Sequence, residues 1–467
     1  MKNEGLNKIA VQISCDLSNV IIYSKNEGKT ITIKKHYHWC DVSLIEHIES
    51  NNCGLMVFSD TITKLNDGAF SYTALTSITI PKSVKLIGDN AFLGCAYLKE
   101  FRGKFASEDS RCLVNGRILK RFAPAGLSEY TIPDNIATIG ERAFESCKIL
   151  SHVVIPNAVV QIGRAAFCNC GLLNLVLPDS VREIECDAFA GCQKLKQVQL
   201  PAGSITIGRG AFLGCDSLEI FSGGCVTSDQ RCVAIQGELV AFAPAHLLEY
   251  RIPEYLLKDI EILDNALGCV HDISKDYRIT KIGDYTFCNC RMLRRILFPN
   301  SITEIGNSSF RGCDNLAEIS LPNSVKEIKD CAFEGCGNLK SIILPDSVLK
   351  IGNSAFSGCR NLSSVYIPES VIEIGDGVFG FEALEYSYWT FSNMEHFEGK
   401  YASEDGRCLI VHGELKAFAP KGITEYIIPS NVTKIAQGTF KYCQSLERIT
   451  LPKTVKEIAD EAFYGCI

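Results

Sequence analysis

The sequence predicts a repeat solenoid of short parallel strands and irregular or helical turns, with a β-rich N-terminal cap and three inserted β-hairpins. Three observations carry this. A phrase built on Ile-Gly and Ala-Phe recurs along the 467 residues. A second, longer phrase of constant length interrupts it three times. No Pro/Gly/Ser-rich linker, charge run or low-complexity tract divides the chain into the separate domains its length would otherwise hold. The expected organisation is a capping segment at 1–54 and repeats over 55–467, with inserts near 101–133, 221–253 and 397–429.

In the first segment, TITIKKHYHWCD alternates, so Ile31, Ile33, Tyr37 and Trp39 fall on one face of a strand and His36, His38 and Cys40 on the other. One reading is a strand that caps the first coil with its apolar face and wets the opposite one. The competing reading is a zinc site on His36, His38 and Cys40, completed by a group such as Cys15 or Cys53. Strand-spaced histidines without a CxxC-type partner favour the cap.

The repeat is plainest in its phenylalanine column. Phe70, Phe92, Phe144, Phe167, Phe189, Phe212, Phe287, Phe310, Phe333, Phe356, Phe379, Phe440 and Phe463 belong to it, with Leu267 in a degenerate copy. An apolar residue stands five positions before each, as Ile328 does before Phe333, and unbroken runs step by 22 or 23 residues. Such a period is the signature of a solenoid whose coils bury their faces against one another. Within a coil, NLKSIILP (Asn338–Pro345) reads as a short strand stopped by proline, VLKIG as a second extended piece ended by glycine, and NSAFSGC as a tight helical or irregular turn. Cysteine follows the phenylalanine by three positions in most copies, as at Cys336 and Cys359. So many copies of one position cannot all be catalytic, and the expectation is a ladder of small buried thiols. A disulfide framework is the weaker alternative, since in-register side chains point in parallel and 23 cysteines cannot all pair within the chain.

The inserts begin at Phe101, Phe221 and Phe397. Apolar runs flank Asn115-Gly116, Gln236-Gly237 and His412-Gly413, which predicts hairpins standing off one edge of the solenoid. Asp109, Asp229 and Asp405 then read as turn residues, too few in carboxylates at each place for the 6–8 oxygens of a calcium site. Before the third insert, FGFEALEYSYWTFSNMEHFEGK adds Tyr386, Tyr388, Trp389 and Phe391 beyond what the coil needs. Aromatic residues of this kind pack cores or form binding patches. The chain stops at Cys466-Ile467 in mid-repeat without a polar cap, which leaves self-association through that last coil or a longer native protein as expectations.

The phrases LPNSVKEIKDCAFEGCGNL from Leu321 and LPDSVLKIGNSAFSGCRNL from Leu344, with ASEDGRCLI at Ala402, resemble the BspA-type bacterial leucine-rich repeat. The resemblance covers about residues 55 to 467. It implies a right-handed, curved leucine-rich repeat solenoid, usually on the surface of host-associated bacteria or secreted, with roles in adhesion and protein binding. It implies no catalytic residues.

The rest of the sequence agrees with a binding role. A net charge of -7 offers no basic footprint, so nucleic acid is a poor partner. No apolar run approaches the ~20 residues of a membrane helix, so no membrane insertion is expected. The start MKNEGLNKIAVQISCD has no apolar signal core, so a cytoplasmic location stays open beside the surface one. No P-loop, GxSxG, HExxH or dinucleotide fingerprint is present, and no cofactor is expected. The expected function is a non-enzymatic protein-binding or adhesion scaffold. Its strand face would be lined by Thr79, Val154, Gln199, Ser320, Ile343, Tyr366 and Thr450, supplemented by Tyr386, Tyr388, Trp389 and Phe391. The alternatives are a self-associating structural surface protein and a metal-dependent enzyme built on His36, His38 and Cys40.

Overall fold

The computed structural model describes residues 18–27, 29, 31, 39–256, 278–380 and 393–466. The chain forms two compact units, Met1–Cys215 with Ser222–Gly224, and Asp216–Phe221 with Cys225–Ile467. The first unit opens with three antiparallel strands, β1 (Val20–Lys25), β2 (Leu44–Glu49) and β3 (Cys53–Phe58). They are followed by β4 (Lys64–Leu65) and β5 (Leu75–Ile80). Strand β1 lies antiparallel to β5, with Tyr23 beside Ile78, and so joins this sheet to the first coil. Of the alternating stretch, Ile31 and Trp39 are buried as expected, and Trp39 packs on Phe70 at 4.9 Å. Cys40 departs from the predicted wet face: it is 3% exposed, and its thiol donates to the Val42 carbonyl at 3.2 Å.

In both units the coils are built alike. One side carries parallel strands of about three residues, as where Tyr130 sits beside Val153, or Ile296 beside Ile319. Proline then closes a β-turn, Val348 N–H donating to the Pro345 carbonyl at 3.0 Å. The second side is a ladder of two-residue parallel strands, Ile305 beside Ile328 and Ile328 beside Ile351, with isoleucine inward and Lys or Glu outward. Serine ties the turns together, as Ser347 Oγ donates to the Val325 carbonyl one coil back at 2.6 Å.

The third side resolves the predicted helical or irregular turn: among the described residues there is no helix. Residues two before and two after the phenylalanine both take left-handed φ, for example Ala165 (52°) and Asn169 (58°) around Phe167, and Ser354 (52°) and Gly358 (70°) around Phe356. An α-helix cannot contain such residues. The backbone here bonds from coil to coil instead, Phe144 N–H to Ala166 O at 2.7 Å and Phe333 N–H to Ala355 O at 2.8 Å. Inside, the rings stack. Centroids lie 4.7 Å apart for Phe144 and Phe167, 5.0 Å for Phe287 and Phe310, and 5.4 Å for Phe333 and Phe356, with planes within 12° of parallel. Each buried ring contributes about 1.5–3 kcal/mol through burial and about 0.5–1.5 kcal/mol more through its aromatic neighbour.

The inserts do not stand off an edge. In the first, Cys112–Asn115 and Ile118–Phe122 form the predicted hairpin, but the second arm runs parallel to Thr138–Ile139 and takes the place of a coil's second strand. The second and third inserts do the same, Leu239 beside Ile282 and Leu415 beside Ile435. Each insert is therefore a coil enlarged by one extra strand.

Candidate functional site

On the three-residue strands, the position two before the proline points outward, because its neighbours on either side face the core. In the first unit Val154 lies beside Thr131, and Gln199 beside Val176, all pointing to solvent. Thr79 is half-buried, held between Ile22 of β1 and Arg102. In the second unit Ser320 follows Leu297, Ile343 is paired with Tyr366, Tyr366 with Glu398, and Thr450 with Ile427. Ile343 is 80% and Tyr366 49% exposed. All seven predicted face residues thus occupy this same strand position, three in the first unit and four in the second. The sequence reading omitted Val176 and Ile427, both exposed, although the fixed offset from proline would have found them. Beside the column runs a charged one, in which Arg295 meets Glu318 at 3.6 Å and Arg448 meets Glu425 at 3.3 Å. Exposed pairs of this kind add little stability. They leave apolar side chains framed by charge.

Of the other candidates, His36, His38, Tyr386, Tyr388, Trp389 and Phe391 lie outside the described residues. Among the described residues, no three His, Cys, Asp or Glu side chains come together as metal ligands. No helix among them is long and apolar enough to cross a membrane.

The described cysteines are free thiols. Where one regular coil follows another, the column thiol reaches back to the carbonyl of the preceding phenylalanine: Cys95 to Phe70 at 3.0 Å, Cys170 to Phe144 at 3.0 Å, Cys313 to Phe287 at 3.0 Å, Cys336 to Phe310 at 3.2 Å. Thr73, which stands in the cysteine position of its own copy, gives its hydroxyl to Phe70 O at 2.6 Å. Burial pushes the thiols up, to about 12 at Cys192 and Cys359, so they are not thiolate nucleophiles at neutral pH.

The inserts repeat a second polar device that the sequence reading saw only in part. Tyr130 OH donates to Asp109 Oδ2 at 2.9 Å and meets Cys112 Sγ at 3.1 Å. Tyr250 with Asp229 and Cys232, and Tyr426 with Asp405 and Cys408, reproduce it. Burial raises the Asp109 carboxyl, but donors from Ser107, the Arg111 N–H and Tyr130 outweigh it and hold the group below its ordinary range. The predicted turn aspartates are thus turn residues, and a tyrosine, buried in the first two copies and half-buried in the third, is their further partner. Three copies of one arrangement argue for a structural clasp rather than a catalytic centre.

A single architecture of stacked coils, an outward strand face and repeated internal clasps defines a repeat scaffold. The family model described as BspA type leucine rich repeat region matches in six copies over residues 15–108, 119–228, 280–401 and 414–467. The chain belongs to the BspA-type leucine-rich repeat family. Among solved structures, a leucine rich cell surface protein from Faecalibacterium prausnitzii A2-165 is 22% identical, with 78% of this chain and 87% of that one covered and a TM-score of 0.48. A leucine-rich repeat protein from Bacteroides ovatus is 22% identical over 91% of this chain and 83% of that one, with a TM-score of 0.36. The pneumococcal vaccine antigen PcpA is 18% identical over 89% and 98%, with a TM-score of 0.44. No curated protein matches the chain significantly.

Proposed function

We propose that the chain is a non-enzymatic protein-binding scaffold of a bacterial cell surface or secretome, and that its strand face makes the contact. The observation that carries this is the pair Ile343 and Tyr366, side by side in register and both open to solvent on a rigid sheet. Exposed apolar groups on ordered backbone lose little entropy when a partner covers them, and a charged rim of alternating sign favours a protein over a polyanion. The surface location is supported by family membership and by the F. prausnitzii relative, which is described as a cell surface protein. Tyr386, Tyr388, Trp389 and Phe391 precede the strand His396–Gly399, whose Glu398 adjoins Tyr366, and are proposed to extend the same surface.

The test is binding of the immobilised chain to purified host-matrix and bacterial surface proteins, with each hit quantified by calorimetry. Replacing Ile343 and Tyr366 together by Glu is expected to weaken a genuine partner by at least about tenfold without lowering the melting temperature, because both side chains lie outside the core. Undiminished binding by that variant removes the strand face from consideration. Concentration-dependent sedimentation of the chain alone would instead favour self-association.

A further inference from the structure

In the regular coils one peptide bond joins three layers. The bond between Cys168 and Asn169, just after Phe167, is an example: its carbonyl accepts from Ser146 N–H of the preceding coil at 2.8 Å, and its N–H donates to Ala190 O of the following coil at 2.7 Å. The first insert breaks this pattern. Its corresponding bond, just after Phe122, joins Ala123 to Pro124, and proline has no N–H to give. The Ala123 carbonyl accepts from the Arg111 guanidinium at 3.4 Å instead. The groups that this bond would have met are left over. Among the described residues, Gly94 N–H, two positions after Phe92, meets no acceptor, and Glu145 O, one position after Phe144, meets no donor. Main-chain donors and acceptors are obligatory hydrogen-bonding groups, and what these two lack together is one secondary amide.

Gly94 and Glu145 both line a cavity of about 400 Å³, within the ordinary range of ligand pockets. Phe92, Phe122 and Leu150 give it apolar walls, and two exposed residues, Tyr72 (77%) and Ile149 (67%), stand at its mouth. Of the charged side chains in the lining, Lys148 is turned to solvent and the other two are engaged in the wall itself. Arg121 donates through Nη1 to the Arg142 carbonyl and through Nη2 to the Asp89 carbonyl at 3.0 Å, and the Glu145 carboxylate lies 3.7 Å from Arg142 Nε. An occupant is therefore met by rings and by main chain.

We propose that the cavity beneath the first insert is a second protein-contact site, which takes a neutral peptide segment of a partner protein carrying a large apolar side chain. One amide of the segment restores the broken pattern, its carbonyl accepting from Gly94 N–H and its N–H donating to Glu145 O. The side chain lies against Phe92 and Phe122 under the lip formed by Tyr72 and Ile149. This is recognition by main-chain pairing plus one anchored side chain, the logic by which extended peptides add to a sheet edge.

The experiment is calorimetry and thermal-shift measurement on the full chain with acetyl-Ala-Phe-Ala-amide as the probe, at up to about 1 mM. The peptide is expected to bind and to raise the melting temperature. Its analogue methylated on every backbone nitrogen keeps the ring and the carbonyls but cannot donate, and should bind at least about fivefold more weakly. Acetyl-Ala-Ala-Ala-amide, which lacks the ring, should bind at least about tenfold more weakly. Ile149→Asp and Ala96→Trp, both at exposed positions of the lining, test the mouth without disturbing the core and should each weaken binding. The variant with Ile343 and Tyr366 replaced by Glu should keep the full affinity, because the strand face is a different surface. No binding of acetyl-Ala-Phe-Ala-amide, equal binding of the methylated analogue, unchanged affinity in both Ile149→Asp and Ala96→Trp, or loss of binding in the strand-face variant would each overturn the proposal.

Discussion

Cysteine at the end of the repeat phrase is a hydrogen-bonding core residue. Its thiol is small enough to sit behind the stacked rings and long enough to reach a carbonyl one coil away, where Cys336 finds Phe310 O at 3.2 Å. Alanine would remove both the packing and the donor. Cys336→Ala is expected to cost about 1–2 kcal/mol, read as a lowered urea midpoint with an unchanged slope. Burial of this column is legible from repetition alone, because a position filled so many times by one residue type has one environment. The phenylalanine carbonyl is not legible. It lies 26 residues upstream of the cysteine, and only the stacking register brings the two together.

At the scale of the element, strands and turns are readable where proline and glycine punctuate them, as in the LPDSV and Ile-Gly phrases. The NSAFSGC turn stays ambiguous in sequence, since a short apolar run with small neighbours fits either a helical turn or a chain of β-turns. The left-handed residues on both sides of Phe356 decide it. The hairpins are visible through their glycine turns, whereas their docking is not, because it rests on pairing with two-residue strands such as Thr138–Ile139 that carry almost no signal of their own. Each insert also enters through a glycine two residues after its first phenylalanine. At Gly399, φ is +87° and an added Cβ would lie 2.1 Å from the Ile367 carbonyl oxygen. Gly399→Ala is expected to destabilise the third insert by about 1–3 kcal/mol from the backbone alone. Earlier hydrogen exchange of the amides at Cys408–Val411, relative to the native chain, is the measurement. Unchanged exchange there would mean that the insert is not anchored by this close approach.

For the whole molecule, the thiols set an alkaline limit. Burial holds Cys112, Cys192, Cys359, Cys408 and Cys443 at about 12, against about 8.5 for a thiol in an unfolded chain. Below the unfolded value both states keep the proton and these groups leave stability untouched. Between the two values only the unfolded chain gives it up, so stability falls as pH rises, by about 1.4 kcal/mol per pH unit for each such thiol. With five acting together, unfolding is expected to set in steeply above about pH 9. Circular dichroism followed alongside thiolate absorbance checks it: the two should change together, and gradual thiolate formation within an intact fold would contradict burial of these thiols. The direction of the thiol bonds has one more consequence. Every regular coil offers a sulfur-bound hydrogen toward the chain start and a phenylalanine oxygen toward the chain end, like a connector with a plug and a socket. Excising or duplicating one such coil whole rejoins a plug to a socket of the same kind, so a protein built this way can change length in steps of one repeat over evolutionary time while every remaining joint stays closed.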